Sequence, residues 1–194
     1  MKGRDRILII EGHPSAQSFV SALREAYKRG ALASGAEVKE VIIRDLAFTP
    51  NLQHGYQKRT ELEPDLLAAQ EALRWAEHIV VVHPVWWGSY PAIMKGFFDR
   101  VLLPGFFFKK GKSAFQWEKL LKGRSGRIIY TLDTPWLFWW LSGRPAFMAL
   151  KWVTLGYCGV SPIAGTAFGI VRESTLQRRQ LWLQKTEKLG AARA

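Results

Sequence analysis

HPVWWGSYPAIMKGFFDRV, residues 83–101, joins the end of an apolar run to an amphipathic stretch through a tryptophan-rich turn, and its reading decides the fold. Overlapping its start, IVVVHP at 79–84 is a continuous β-branched run that stops at proline, the pattern of a strand buried on both faces. Pro91 fits the first position of a helix, where a missing N–H costs nothing. Beyond it Ile93, Met94, Phe97, Phe98 and Val101 recur at helical spacing, turning that face to a core and leaving Lys95 and Asp99 outward. The loop at 85–90 is therefore held at the carboxyl edge of a sheet, where open α/β sheets bind ligands.

Working outward, 6–10 reads as a first buried strand that ends in the turn EGHPSAQS, after which Phe19, Leu23, Ala26 and Tyr27 mark a helix closed by Gly35. A second strand is expected at 37–43 and a surface excursion at 45–56, where Pro50, Asn51 and Gly55 fall. Pro64 starts a second helix carried by Leu66, Leu67, Gln70, Leu73 and Trp75, and the third strand begins near His78. Residues 106–123 mix aromatics with lysine and glycine, a composition suited to a partly ordered loop beside a site. A fourth strand at 127–132, a helix at 147–156 stopped by glycine, a fifth strand at 160–168 and a last helix at 173–189, with Trp182 and Leu189 inward, complete the chain. Strands alternating with helices imply a parallel, doubly wound sheet, because each crossover must lay a helix on a face. The expectation is one domain over 1–194, a three-layer α/β sandwich whose five-stranded sheet has the order 2-1-3-4-5. Its ligand crevice would open between the first and third strands, which end at His13 and Pro84.

Composition narrows the function classes. With 28 basic and 16 acidic residues the formal charge is +12, which favours an anionic partner without choosing among a dinucleotide, a lipid surface and nucleic acid. Basic residues are scattered, with clusters at Lys109, Lys110 and Lys112, at Lys119, Lys122, Arg124 and Arg127, and at Arg172, Arg178 and Arg179. No nucleic-acid-binding signature accompanies them, so no nucleic-acid partner is expected. Cys158 is the single cysteine, which excludes an intramolecular disulfide and a thiolate zinc cluster and points to a reducing, cytoplasmic setting. The apolar run after the basic start, ILII, is shorter than the roughly seven residues of a secretory core. The apolar stretches 136–141 and 146–150 are interrupted by Ser142, Gly143, Arg144 and Pro145, short of the roughly 20 residues of a membrane span.

The first turn lacks both GxGxxG and GxxxxGK[ST]. It offers Gly12, His13, Ser15, Gln17 and Ser18 at a helix start, where free amides, hydroxyls and the helix dipole can hold a phosphate without a lysine. His13 could add a donor or a charge; a hydroxyl-capped helix with a surface histidine is the alternative. His13, His54, His78 and His83 show no metal-ligand spacing, no GxSxG elbow is present, and His83 reads as a satisfied histidine at a strand end.

Three stretches, GHPSAQSF, RDLAF followed by TP at 44–50, and PVWWGSYPAIMKGFFDRV, together resemble the NAD(P)H:quinone oxidoreductase family, the DT-diaphorase type of flavodoxin-like protein. The resemblance implies a flavin, FAD or FMN with FAD preferred, reduced by NADH or NADPH. It implies Val85, Trp86, Trp87 and Gly88 along the ring system, with backbone N–H groups near N5 and O4. It further implies His13, Ser18 and Phe19 at the phosphates, and Thr131, Leu132, Asp133 and Thr134 at the pyrimidine edge. The implied activity is two-electron reduction of quinones or similar electrophiles by ping-pong hydride transfer, in a homodimer whose active sites form between subunits.

This chain departs from the family's hydroxyl-and-glycine turn after the fourth strand: it reads TLDTPW, and the tyrosine and histidine pair of the best-known members has no counterpart. Asp133 is then a candidate catalytic group, for orienting flavin or relaying a proton, or else a turn-forming aspartate. The aromatics Trp136, Phe138, Trp139 and Trp140 read as core, as the wall of an acceptor pocket, or as a patch facing lipid or a second subunit. Arg178 or Arg179 would serve an adenine site if the flavin is FAD. The alternative function is a flavin-binding regulatory subunit of a membrane transporter, of the potassium-efflux ancillary type, with peripheral membrane contact.

Overall fold

The computed structural model describes residues 5–55, 57–58, 60–111 and 116–192; Lys112 of the first basic cluster and the basic start at 1–4 lie outside them. Five parallel strands form the central sheet: β1 (Arg6–Glu11), β2 (Glu37–Ile42), β3 (His78–Pro84), β6 (Ser125–Thr131) and β7 (Ile163–Phe168). Their order is β2-β1-β3-β6-β7. This is the expected 2-1-3-4-5 order, with the numbering displaced by a two-stranded antiparallel ribbon, β4 (Phe108–Lys110) and β5 (Trp117–Lys119).

Alternation along the strands divides the core. Ile7, Ile9, Val80, Val82 and Ile129 face one side, under α1 (Phe19–Ala33) and α6 (Leu176–Ala191). Leu8, Ile10, Ile79, Val81 and Ile128 face the other, under α2 (Pro64–Trp75) and α3 (Ala92–Val101). Trp182 and Leu189 pack inward from α6. The helices α1 and α6 cross at Gly30 and Gly190: a Cβ on Gly30 would lie 1.9 Å from the carbonyl oxygen of Glu187, and one on Gly190 2.1 Å from that of Tyr27.

Several boundaries differ from expectation, each for a physical reason. Within 106–123 the described residues include the two strands of the ribbon, which packs through Trp117 and Phe108 on Tyr157, and none of the described residues of this stretch lines the crevice expected between β1 and β3. The helix expected at 147–156 begins at Trp139 instead. α4 (Trp139–Met148) continues through a π-helical stretch (Ala149–Leu155) into α5 (Gly156–Cys158), and the stop is Gly159 at φ +111° rather than Gly156. Pro145 is accommodated inside α4, where it removes the N–H that would bond the Leu141 carbonyl. Pro91 is the N-cap of α3 rather than its first residue, and α6 starts later than expected, at Leu176, because Thr175 caps it by accepting from the Arg178 N–H. β7 begins at Ile163, after Pro162 has interrupted the run. Leu67 points outward from α2 and is half exposed.

Candidate active site

A crevice of about 550 Å³ opens at the carboxyl ends of β1, β3 and β6. His13, Phe19, Val85, Trp86, Trp87, Thr131, Leu132, Asp133 and Thr134 line it, so three separate segments of the chain meet there. Ser18 and Gly88 stand behind this wall: Ser18 caps α1, its Oγ accepting from the Ser21 N–H at 3.1 Å, and Gly88 is the second residue of a turn tip. Val20, Pro84, Val171 and Arg172 also line the crevice; the sequence places Pro84 at the strand end and Arg172 in a basic cluster, but assigns none of the four to the site.

The shelf is a two-residue turn. Trp86 and Ser89 exchange backbone hydrogen bonds at 2.8 and 2.9 Å, and the residues between them, Trp87 and Gly88, have φ of +51° and +71°. Positive φ at both central positions is the type I′ turn, which asparagine and glycine favour. Among the described residues Trp87 is the one non-glycine with positive φ, and its indole is fully exposed at 103%. A bulky side chain in that region costs about 1–2 kcal/mol, and no packing offsets it here. The Val85 N–H donates to the Thr131 carbonyl at 2.7 Å and the Trp86 N–H to Ser89, so donation from this turn to a ligand falls to Trp87 and Gly88.

At the first turn, Phe19 and Val20 are the first two residues of α1, whose amides have no partner within the helix. Both line the crevice, which makes that end suited to an anion. The Ser15 N–H donates to His13 Nδ1 at 2.9 Å, and the His13 ring lies edge-on to Trp86 at 5.5 Å. Burial holds His13 below its ordinary pKa, against opposing contributions from the Ser15 backbone and Glu11. Nδ1 also lies 3.1 Å from the Ser15 carbonyl, so the neutral ring has two tautomers here: one donates Nδ1–H to that carbonyl, and the other accepts from the Ser15 N–H and carries its proton on Nε2 as a donor.

The far edge is set by the turn after β6. Asp133 Oδ1 accepts from the Arg172 N–H at 2.7 Å, and the Leu132 N–H donates to Phe168 at 3.0 Å. Asp133 therefore ties the loop after β7 to this wall. Beneath the shelf His83 is fully buried: Nδ1 sits 2.9 Å from the Pro84 carbonyl, Nε2 has no partner, and the ring stacks on Tyr130 at 6.0 Å. It is thus only half satisfied.

Burial lowers the His83 pKa from 6.5 to about 4, while the Pro84 carbonyl opposes that shift. Between those values an unfolded chain takes up a proton that the folded one refuses, so stability is unaffected above neutrality and falls as pH drops through the window. Chemical denaturation at about pH 7 and about pH 5 should show His83→Phe losing about 2 kcal/mol less than the parent. Equal losses in both proteins would remove His83 as the source.

The aromatic cluster is largely not core. Trp136, Leu137, Phe138, Trp140 and Leu141 are exposed, Trp136 at 85%, as are Trp152 and Val153 further along the same helical run. Trp139 alone turns in, its Nε1–H donating to the Tyr130 hydroxyl at 2.9 Å. The patch abuts the shelf: a Cβ on Gly88 would lie 3.8 Å from the Leu141 carbonyl oxygen. Among the described residues no helix is long and apolar enough to cross a membrane.

A family model for the flavodoxin-like fold matches residues 5–189. The chain belongs to the flavodoxin-like fold family. Within it, the chain is 31% identical over 140 residues to NAD(P)H dehydrogenase [quinone] 1 of Rattus norvegicus, covering 60% of this chain and 51% of that protein. Ribosyldihydronicotinamide dehydrogenase [quinone] of Mus musculus is 26% identical over 220 residues, covering 95% and 91%. The crystal structure of Smu.1420 from Streptococcus mutans UA159 superposes with a TM-score of 0.83 at 28% identity, covering 96% of this chain and 98% of that one. Against the relatives at just over 30% identity, this flavodoxin-like chain spans about half of their length.

Proposed function

We propose that this chain is a flavin-dependent NAD(P)H oxidoreductase that reduces quinones or similar electrophiles. The observation that carries the reading is Trp87, a bare indole held at positive φ over a crevice whose other end presents two helix-terminal amides. A flat surface beside an anion-binding end suits a phosphate-bearing ring system. A turn offering donors and acceptors at 131–134 suits the polar edge of a flavin. Bound there, flavin supplies a two-electron relay that NAD(P)H and then a quinone use in alternation, a ping-pong cycle.

In this reading Trp86 and Trp87 bind and level the ring, and Phe19 and Val20 hold the phosphate through their amides, with His13, in its Nε2–H tautomer, as a neutral donor. Asp133 is a positioning group for the 131–134 edge, its Oδ1 accepting from the Arg172 amide and tying the loop after β7 to that edge. We take FAD before FMN because a second groove of about 560 Å³ adjoins the crevice at Leu132 and Thr134, and Trp136, Trp139 and Arg178 line it. Arg179 is spent within the protein, its Nε–H donating to Ser174 at 2.8 Å, whereas Arg178, held over the Trp182 ring at 5.1 Å, lines the groove and is the arginine we assign to an adenylate. The exposed patch beside the shelf suits a second copy of the chain, and light scattering should return twice 22.1 kDa. A monomer at micromolar concentration would count against the dimer.

The activity is tested by anaerobic spectroscopy of the flavin-loaded protein. NADH or NADPH should bleach the flavin bands within seconds, and a quinone should restore them. Flavin bands that persist through excess nicotinamide would reject the assignment while leaving flavin binding intact.

A further inference from the structure

Glu11 ends β1 with a charge, at the carboxyl end of an otherwise apolar strand interior, and it is completely buried. Three side chains converge on its carboxylate: Ser21 Oγ, at 2.6 Å, and Arg44 Nη1 both donate to Oε1, and Arg24 Nε donates to Oε2 at 2.6 Å. Each leads somewhere. Ser21 Oγ lies 3.0 Å from Ser18 Oγ, the cap of α1, and the same Arg44 nitrogen reaches the His13 carbonyl at 3.3 Å. Arg24 also pairs with Glu25 and Glu40, and Lys28 with Glu40, so the arginines are balanced by carboxylates behind the turn.

Between His13 and Ser18 the backbone has no regular structure, so its shape depends on what grips its two ends. Glu11 grips both. We propose that Glu11, acting through Arg44 and Ser21, is a positioning residue for the anion end of the crevice, setting the first turn in the shape that takes the phosphate of a flavin. Arg44 opens the RDLAF stretch, and this contact gives that stretch a task at the site although it lines no part of the crevice. The inference rests on the flavin reading above and adds which residues give the site its preference for phosphorylated flavins. A buried carboxylate between two arginines costs stability unless each partner is kept, so its placement beneath a ligand turn calls for such a role.

The test is titration of the flavin-stripped protein with riboflavin, FMN and FAD, followed by quenching of flavin fluorescence. The parent should bind FMN and FAD more tightly than riboflavin. Glu11→Gln should weaken FMN and FAD roughly tenfold, the scale of one hydrogen bond to a charged group, and leave riboflavin within about twofold. Ser21→Ala and Arg44→Gln each cut one arm of the grip and should shift the preference in the same direction, which keeps the test open if Glu11→Gln does not fold. Equal weakening of all three flavins, or an unchanged preference in the folded variants, overturns the role of Glu11 alone. A parent protein that binds none of the three overturns the flavin reading and this inference with it.

Discussion

Replacing Trp87 with glycine should loosen bound flavin roughly ten- to a hundredfold while leaving the ligand-free protein as stable as before, or up to about 1 kcal/mol more stable. The two effects have one origin. Trp87 sits at φ +51° with its indole in solvent, so it contributes nothing to the core, and glycine removes the backbone strain. The loss falls on the ligand, which forfeits the apolar area and stacking of one indole. Trp87→Ala should lose flavin to the same extent without the relief, because alanine keeps a Cβ at positive φ. Affinity is read by flavin fluorescence and stability by thermal unfolding of the stripped protein. Unchanged affinity in both variants would remove Trp87 from the site, and a clear fall in the stability of the glycine variant would mean that its indole packs.

The second large effect lies away from the crevice. Gly30→Ala should destabilise the fold by about 3 kcal/mol or more, lowering Tm by roughly 6–12 °C. Its Cβ would meet the Glu187 backbone at 1.9 Å, and neither side can yield by turning a side chain, so α1 and α6 must separate along their length. Gly190→Ala, whose Cβ would meet the Tyr27 carbonyl oxygen at 2.1 Å, should behave alike. Gly35→Ala is the control. That glycine has φ +83° with nothing within 4 Å, so only local strain of about 1 kcal/mol is expected. If Gly30→Ala and Gly35→Ala melt together, the close helix crossing is not a determinant of stability.

What could be read from the sequence followed from period and punctuation. The β-branched run at 79–84 and the spacing of 93–101 specify a strand and a helix by burial alone, and alternating elements then limit the sheet to few orders. The two turns that end β1 and β3 could be paired because that order brings them together. The aromatic run at 136–141 was not legible, since consecutive large apolar residues carry no period that separates a core from a surface. The passage of one helix through Pro145 and Gly156 was hidden for a related reason: local breakers were outweighed by packing of Leu150 and Leu155 into the core. Arg172 enters the crevice through the loop after β7, and Arg44 reaches Glu11 across 33 positions; neither carries a motif that announces the meeting.

The central claim is that the crevice at the ends of β1, β3 and β6 binds a flavin. It is tested most directly by the absorbance of freshly purified protein, with mass analysis of whatever acid releases from it. Flavin absorbance bands, a released mass of FAD or FMN, and re-uptake by the stripped protein are the expected result. A colourless protein that takes up neither FAD nor FMN when they are added would contradict it.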